Sequence, residues 1–323
     1  MLSRLAARAL AGFGVVAGVV TLTFFLLRFA PGDPVEHLLG PAATADQLAA
    51  QRHALGLDRP IPVQYTAWVS RFVRGDWGIS IAKGRPVRTV LGDAWPATLR
   101  LVGLSLLLSY ALGIAIGAVQ AHRRGSRTDT ALSVITVTLF AVPGYWLGLM
   151  LVMVFTYWAR VLPAFGAAGL DADYLTGWDR IVDGLRHLAL PLATLTLIGV
   201  GGSARFVRGA MIDLGAQPFV TTAHAKGLSP FQVTGRHVLR NALTPVVTLL
   251  GLSLPALFSG AVFVEAVFAW PGVGRVLVEA VQARDYPVVM AATAVSAGLV
   301  VAGNLLADAL AAWLDPRIGK QET

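Results

Sequence analysis

Long apolar segments separated by short polar ones dominate the hydropathy pattern of this sequence. Segments with few or no charged residues occupy 9–27, 101–121, 131–158, 188–204, 242–264 and 288–307. Each has about 17–28 residues, enough for an α-helix rising about 1.5 Å per residue to cross about 30 Å of hydrocarbon. We therefore predict six transmembrane helices, one within 1–30 and five at about 98–121, 131–158, 187–207, 242–264 and 287–312.

Composition supports the same class of protein. Hydrophobic residues make up 55% of the 323 positions, charged residues only 14%, and the mean hydropathy is +0.66. Soluble domains carry about a quarter charged residues and could not hide this much apolar surface, so we expect an all-α integral membrane protein. The chain contains no Cys, which excludes disulfides and thiolate metal sites.

The N-terminal part of the chain is organised differently from the rest. Its first apolar segment exceeds the roughly 7–15 residues of a signal-peptide core and lacks a small-x-small cleavage site, so we predict an uncleaved helix. Residues 31–96 are more polar and form a predicted soluble segment. Within it, Thr44 and Gln47 match a capping box before a short helix at about 45–55, and an amphipathic stretch follows at 63–73.

The distribution of Lys and Arg predicts the orientation in the membrane. If the N-terminus is cytoplasmic, the inner segments hold twelve of these residues: Arg4, Arg8, Arg123, Arg124, Arg127, Arg205, Arg208, Lys226, Arg236, Arg240, Arg317 and Lys320. The two short outer loops hold five: Arg160, Arg180, Arg186, Arg275 and Arg284. Because cytoplasmic loops carry the excess of positive charge, we predict that both termini, the tail 315–323 and the loop 205–241 are cytoplasmic, and that 31–96 is extracytoplasmic.

Several kinds of chemistry find no support in the sequence. The pattern GxxxxGK[ST] is missing, so the chain itself should not bind ATP through a P-loop, and the six His residues are too scattered for a metal site. We attribute the net charge of +8 to topology and lipid headgroups, not to nucleic acid. Arg28, Glu265 and Asp308 lie at predicted helix ends, where they should reach the interface. With no acid or His at mid-membrane, we disfavour a proton- or sodium-coupled carrier.

The loop at 205–241 carries the most specific pattern. Pro218 can start a short helix of about two turns, and Gly227 can end it. Phe219, Thr222, Ala223 and Lys226 recur at i, i+3, i+4 and i+7, so they should share one face. The pattern alone allows two interpretations: the helix inserts into a partner's groove, or it lies on the lipid headgroups.

The same loop resembles the EAA loop of ABC-transporter membrane subunits. Thr221, Thr222 and Ala223 stand at its first three places, Gly227 follows after three residues, and 237–240 occupy its last four places. The stretch TAHAKGLSPFQVTGRHVLRNALTPVV (222–247) is similar to the form found in oligopeptide, dipeptide and nickel permeases. Further matches run along nearly the whole chain: APGDP (30–34), LGLDRP (55–60), GDWGIS (75–80), WPATLRL (95–101), VPGYWLGL (142–149), VFAWPGVGRV (267–276) and DPRIG (315–319).

Two residues depart from the family pattern. Thr221 stands where the EAA glutamate is common, and His224 replaces the usual Arg. The resemblance therefore implies a docking helix that relies on shape and helix termination more than on charge.

The resemblance implies a type I ABC importer permease fold, with the permease core at 94–314 and the coupling loop at 205–241. The residues implied in ATPase coupling are Phe219, Thr221, Thr222, Ala223, His224, Ala225, Lys226 and Gly227. The residues implied in supporting the loop are Arg236, His237, Arg240 and Asn241. No catalytic residue and no metal ligand is expected.

The implied partners are a paralogous permease, two cytoplasmic ABC ATPases, an extracytoplasmic solute-binding protein and the bilayer of a prokaryotic plasma (inner) membrane. This chain would bind no cofactor, because ATP and Mg²⁺ belong to the ATPases. Its cargo would be di- or oligopeptides, with nickel or another small solute as the alternative. An autonomous channel or carrier and an intramembrane protease are the alternatives from other classes; no Ser/His or Asp/Asp arrangement supports the protease.

Overall fold

The protein is helical wherever the structure describes it. The computed structural model describes residues 2–29 and 32–314, apart from the side chains at 2–6, 34, 37 and 310–314 and most of those between 244 and 257. Within these ranges the one extended pairing is an isolated antiparallel bridge between Ile79 and Pro86. The all-α prediction is therefore confirmed for the described residues, while the predicted tail 315–323 lies outside them.

Thirteen α-helices follow one another along the described chain. They are α1 (Leu2–Phe29), α2 (Pro34–Leu39), α3 (Ala45–Ala54), α4 (Ile61–Val73), α5 (Val87–His122), α6 (Arg127–Ala141), α7 (Gly144–Val152), α8 (Gly177–Gly215), α9 (Pro218–Ala225), α10 (Pro230–Gln232), α11 (Arg240–Val267), α12 (Val273–Gln282) and α13 (Tyr286–Leu314). Two π-helical turns, Met153–Trp158 and Val233–Leu239, follow α7 and α10, and a 3-10 turn spans Ala172–Tyr174.

Fewer membrane spans are identifiable in the structure than the six predicted. Among the described residues, four helices are long and apolar enough to cross a membrane: Ala7–Phe29, α5, α8 and Tyr286–Ala309. The pair formed by α6 and 144–158 makes a fifth if it counts as one span. The span predicted at 242–264 lies in α11, of which only Phe258–Val267 qualifies as an apolar helix among those residues. The number six stays a prediction.

The span predicted at 131–158 is interrupted at Pro143-Gly144, the pair that breaks its apolar run in the sequence. The chain bends by 105° between α6 and the helical stretch 144–158. Pro143 lies at the bend with φ −59° and ψ 133°, an extended conformation that ends α6 and starts α7. Proline has no amide hydrogen and disfavours helical geometry in the residue before it, which explains why the break falls here.

Two other helices extend well beyond their predicted bounds of 98–121 and 187–207. Helix α5 already begins at Val87, with Pro96 inside it, and α8 runs on through polar residues to Gly215. Hydropathy marks the part of a helix that faces lipid, whereas its ends are set by local backbone signals. Pro218 supplies one such signal, because Gln217 before it is extended (φ −79°, ψ 149°).

The chain divides into two compact units, of which the first comprises, among the described residues, 2–5, 99–270 and 302–314. Helix α8 lies at its centre and packs against α6, α7 and α11. A Cβ on Gly201 would lie 2.7 Å from Thr136 O and 2.8 Å from Phe140 N. A Cβ on Gly117 of α5 would lie 2.6 Å from Ala204 O. The GVGG sequence at 199–202 therefore serves close helix packing, as expected for small residues between membrane helices.

The second unit comprises 6–98 and 271–301. Its core joins the start of α5 to α12 and the start of α13 through small and branched residues: Val87, Val90, Leu91, Ala94, Val273, Val276, Ala280, Val288, Val289, Ala291 and Ala292. The buried carboxylate of Asp285 fixes the 80–82 turn, because it accepts hydrogen bonds from Ser80 Oγ and Ala82 N. The Thr98 hydroxyl accepts one from Val273 N at 2.8 Å.

Aromatic packing attaches α4 to α1 within the second unit. Phe24 meets Tyr65 edge-on at 5.2 Å between ring centroids, and Phe25 stacks on the same Tyr65 ring at 6.2 Å. The Tyr65 and Thr21 hydroxyls share a hydrogen bond of 2.7 Å. Such pairs add about 0.5–1.5 kcal/mol each beyond their buried area, so α4 is held as an amphipathic helix on α1.

Helix α3 of the second unit begins at the capping box that the sequence predicts. The capping box is confirmed: Gln47 N donates to Thr44 Oγ1, and Thr44 N donates to Gln47 Oε1.

Helix α12 was not predicted, and its Glu279 accepts hydrogen bonds from Arg275 at 2.7 Å and Lys83 at 3.2 Å. Burial raises the pKa of Glu279, but these two hydrogen bonds outweigh it and leave the pKa below its usual value.

Two matched substitutions test the packing of α8. Gly201→Ala should destabilise the protein by about 1–3 kcal/mol, because the added methyl meets backbone atoms of α6. Gly209→Ala on the same helix has no neighbour within 4 Å of the new methyl. It should stabilise by about 0.5–1 kcal/mol through the lower backbone entropy of alanine. Thermal unfolding of the two variants in detergent should therefore shift in opposite directions, and equal shifts would contradict close packing at Gly201.

Candidate functional site

The segment at 205–241 is mostly helical, although the sequence suggested a loop. Helix α8 supplies its first part up to Gly215, and α9 and α10 follow after short turns. The π-helical turn Val233–Leu239 then leads without interruption into α11. The segment is therefore continuous at both ends with long helices of the first unit.

Helix α9 begins and ends where the sequence predicts. Pro218 is at its first turn, and Lys226 N donates to Thr222 O at 3.1 Å at its end. Gly227 has φ +81°, a left-handed conformation that other residues rarely adopt, and its N donates to His224 O at 2.9 Å. The prediction of a helix bounded by Pro218 and Gly227 is confirmed.

The orientation of α9 differs from the predicted common face. Val220 and Ala223 are buried, with 8% and 5% of their surface exposed. Phe219, at 37%, is exposed, as are the other predicted coupling residues: Thr221, Thr222, His224, Ala225, Lys226 and Gly227. Ala223 therefore faces the chain's own interior and is small for that reason, while Phe219 and its exposed neighbours form the surface available to a partner.

A groove lies beside the buried face of α9. It is lined by apolar residues from α8 and the π-helical turn, among them Met211, Val233 and Val238, and all three are buried. His122, Arg124 and His224 add polar and basic side chains to its rim. Ser229 and Gln232 close the next turn with a reciprocal capping box, at 3.3 Å and 3.0 Å. Helix α9 is thus fixed at its start, along one face and just beyond its end.

The predicted support residues are only partly brought together. Asn241 Nδ2 donates to His237 O at 2.7 Å, which spans one turn where the π-helical turn meets α11. Arg236 and Arg240 are exposed and make no hydrogen bond or ion pair within the described part of the chain. Support by the two arginines stays a prediction.

An ion pair that the sequence did not reveal anchors the segment instead. Arg208 of α8 donates to both carboxylate oxygens of Asp129, at 2.8 Å and 2.9 Å. Gly125 N adds a third hydrogen bond at 3.0 Å, and the Asp129 side chain is only 5% exposed. Arg205, one turn earlier, lies over the Phe140 ring at 5.4 Å. A bidentate pair of this kind fixes both distance and orientation between α6 and α8.

A signal for this pair existed in the sequence. Asp129 is the one acid in the short segment 122–130, which also holds Arg123, Arg124 and Arg127. The sequence does not identify Arg208 as the partner of Asp129, because this contact depends on how α6 and α8 cross.

Glu265 also lies differently from its prediction. It was expected to reach the interface from a helix end, but its side chain is fully buried, with 0% exposed. Helix α11 ends in a turn in which Trp270 N donates to Glu265 O at 2.9 Å, and Phe268 and Trp270 are buried within this turn. Among the described residues, no group of three His, Cys, Asp or Glu side chains could hold a metal ion.

Two family models match this sequence. Residues 113–320 match the binding-protein-dependent transport system inner membrane component, and residues 1–102 match the N-terminal part of the membrane component of such systems. The two matches together cover nearly the whole chain, including α9 and the residues on either side of it.

Several relatives resemble the chain over almost their full length. The oligopeptide transport system permease protein AppB of Bacillus subtilis is 37% identical over 312 residues, covering 96% of this chain and 97% of AppB. The di/tripeptide transport system permease protein DppB of Pseudomonas aeruginosa is 37% identical, covering 94% and 95%. The dipeptide transport system permease protein DppB of Escherichia coli is 34% identical, covering 93% and 94%.

The fold is similar to that of a solved transporter. The MetNI methionine ABC transporter in inward-facing conformations matches with a TM-score of 0.54 at 16% identity, over 71% of this chain and 98% of that one. At this identity the likeness concerns the fold alone. With family matches at 1–102 and 113–320 and relatives above 30% identity, the chain belongs to the binding-protein-dependent transport system inner membrane components of ABC transporters, and it is a transport subunit, not an enzyme.

Proposed function

We propose that this chain is a membrane subunit of an ATP-driven importer of di- or oligopeptides in a prokaryotic plasma (inner) membrane. The observation that carries the proposal is the 34–38% identity to permeases named for peptides, dipeptides or oligopeptides over more than nine-tenths of the chain. Nickel was the alternative within the same family, and no observation on this chain favours it. Membership of a family of ABC transporter subunits argues against an autonomous channel or carrier.

The proposed assembly has five subunits. A paralogous permease completes the translocation pathway, two cytoplasmic ATPases hold ATP and Mg²⁺, and an extracytoplasmic solute-binding protein delivers the peptide. In this assembly the chain crosses the membrane six times and has both termini inside, as the Lys and Arg distribution predicts. The segment at 31–96 then faces the solute-binding protein.

The exposed side of α9 is the proposed contact with an ATPase. Phe219 offers an aromatic anchor, and Lys226 and His224 are the basic groups nearest to it on the helix. The helix PFVTTAHA contains no acid, so docking depends on shape and on apolar contact at Phe219. Thr221, in place of the glutamate common in the family, gives the ATPase no carboxylate to pair with.

A displacement of α9 would be transmitted to the membrane-spanning helices through the contacts that hold α9 and α8 in place. The buried Val220 and Ala223 tie α9 to the chain's interior, and the Arg208–Asp129 pair ties the end of α8 to α6. ATP-driven closure of the ATPases would displace α9 and favour one of two packings of these helices. Coupling is then a population shift between discrete arrangements, as close-packed helices do not deform continuously.

Uptake by cells tests the cargo. A strain lacking this chain should lose accumulation of a radiolabelled di- or oligopeptide and recover it when the chain is restored, because half of the pathway is missing without it. Ni²⁺ accumulation in the same strain should not change. Loss of Ni²⁺ uptake with intact peptide uptake would overturn the peptide assignment but would leave the family membership untouched.

The end of α9 can be tested with a matched pair of substitutions. Gly227→Glu places a side chain at φ +81°, where the left-handed conformation costs about 1–2 kcal/mol, a roughly five- to thirtyfold shift in population. Gly235→Glu adds the same charge at an exposed glycine without positive φ and with no neighbour within 4 Å. The expected result is loss of peptide uptake, at unchanged protein level, in the first variant only.

A second measurement distinguishes a loss of coupling from a loss of folding in these variants. Membrane abundance and thermal unfolding of both variants should match the wild type closely enough to show assembly. Wild-type uptake in assembled Gly227→Glu would remove the proposed role of helix termination in coupling. Equal loss in both variants would point to the added charge instead.

The orientation of the segment can be tested by cysteine labelling. The chain has no native Cys, so Thr234→Cys and Thr66→Cys each introduce a single thiol. An impermeant maleimide added to intact cells should label Thr66→Cys in the predicted outer segment, and should label Thr234→Cys only after the membrane is opened. Labelling of Thr234→Cys in intact cells would place the segment outside and contradict the proposed contact with cytoplasmic ATPases.

A further inference from the structure

Arg28 occupies an unusual position at the end of a lipid-facing helix. It precedes the last residue of α1, and Leu22 and Leu26 on the same helix are 62% and 61% exposed. Such exposed apolar side chains on a membrane-spanning helix face hydrocarbon, so Arg28 lies at the depth of the lipid headgroups. This holds whichever side of the membrane the helix end faces.

The Arg28 guanidinium is held by rings and has an unmet hydrogen bond. It lies 5.1 Å from the Phe24 ring centroid and 5.2 Å from that of Tyr286. These contacts are cation–π interactions, which leave the N–H groups at the edge of the guanidinium free for an acceptor. Its Nε is buried and has no hydrogen-bond partner among the described residues. A buried donor without an acceptor is unfavourable, so an acceptor from outside the chain is favoured.

Arg28 lines a pocket that combines positively charged and apolar residues. Arg59 and Arg71 line it together with Arg28, and Trp68, Leu27 and Met290 supply apolar walls. None of the residues that line this pocket is acidic. Three guanidinium groups around one pocket without a carboxylate create a site for an anion.

Gln64 adds an acceptor to the same pocket. Its Nε2 donates to Leu57 O at 3.1 Å and to Arg59 O at 2.7 Å, and these two bonds fix the orientation of the amide. Its Oε1 is buried and has no hydrogen-bond partner among the described residues. Two residues that line the pocket thus carry a buried polar atom without a partner among the described residues, the donor Arg28 Nε and the acceptor Gln64 Oε1.

We propose that this pocket binds the headgroup of an anionic phospholipid whose phosphodiester carries a hydroxylated alcohol, such as glycerol. The phosphate oxygens accept hydrogen bonds from the guanidinium groups of Arg28, Arg59 and Arg71. A headgroup hydroxyl donates to Gln64 Oε1, and the acyl chains continue along the exposed apolar side of α1. A zwitterionic headgroup brings an ammonium group that these arginines repel.

The position of the pocket favours a lipid over a protein carboxylate. Basic and apolar residues share this pocket at the end of a membrane helix, and this combination suits an amphiphilic lipid better than an acidic surface loop. Trp68 and Tyr286 are of the two aromatic types that are enriched at membrane interfaces. The bound lipid joins the end of α1 to α4 and to the start of α13, all within the second unit.

Lipid binding to the full chain tests the proposal. The chain is purified in detergent, mixed with phosphatidylglycerol and phosphatidylcholine at equal concentration, and examined by native mass spectrometry. Wild type should retain phosphatidylglycerol about tenfold more than phosphatidylcholine, equivalent to about 1.4 kcal/mol. Arg28→Gln should remove most of this preference, whereas Arg74→Gln, an exposed arginine outside the pocket, should leave it unchanged.

Further arms make each outcome decisive. Arg71→Gln alters an exposed residue of the pocket and should weaken the preference even if Arg28→Gln does not fold. Equal retention of both lipids by wild type, or an unchanged preference in both Arg28→Gln and Arg71→Gln, would overturn the proposal. Full displacement of the lipid by soluble glycerol 3-phosphate would show that the pocket takes a free phosphate ester, and would overturn the lipid assignment.

Discussion

The first unit depends on how closely helix backbones approach α8. Lipid tails are as apolar as leucine, so membrane helices gain little from hydrophobic burial against each other and need close contact to associate. Gly201 brings α8 against the backbone of α6, and Gly117 brings α5 against it from another direction. Ser203 adds a hydrogen bond of 2.9 Å to Ser109 O at the α5 contact. Any side chain at these glycines would separate the helices before dispersion contacts could form.

This close packing gives the polar end of α8 a defined position. Arg208 lies beyond the glycine contacts and donates to the buried Asp129 from two of its nitrogens, Nε and Nη2. Pairing a buried carboxylate adds little net stability, because desolvation offsets most of the attraction, but losing one partner would leave an uncompensated charge. The pair therefore acts as a geometric restraint between α6 and α8. Helix α9 follows a short turn later, with Val220 and Ala223 facing inward.

The sequence revealed those features that depend on signals within a few residues. Pro218 and Gly227 determined the ends of α9, and Thr44 with Gln47 determined the start of α3, because caps and turns are local. Hydropathy located the apolar segments but not the helix ends, so the start of α5 at Val87 was missed. Pro143-Gly144 marks a break in the sequence, but the 105° angle of the bend there depends on packing that the sequence does not show. The inward orientation of Ala223 and the Asp129–Arg208 contact depend on helix crossings that no local pattern encodes.

The arginines show why charge counts alone describe this protein incompletely. Arg208 and Arg236 have equal weight in the count of positive charges that predicts orientation. Arg208, however, donates two hydrogen bonds to Asp129, whereas Arg236 is exposed. Arg28 had no weight in that count, because it lies beside the long first outer segment. Two aromatic rings nevertheless hold its guanidinium, and its Nε has no hydrogen-bond partner among the described residues. Together with the neighbouring Arg59 and Arg71, it lines a basic pocket. The environment of each guanidinium, set by the helices around it, decides whether it orients the chain, restrains two helices or receives an anion.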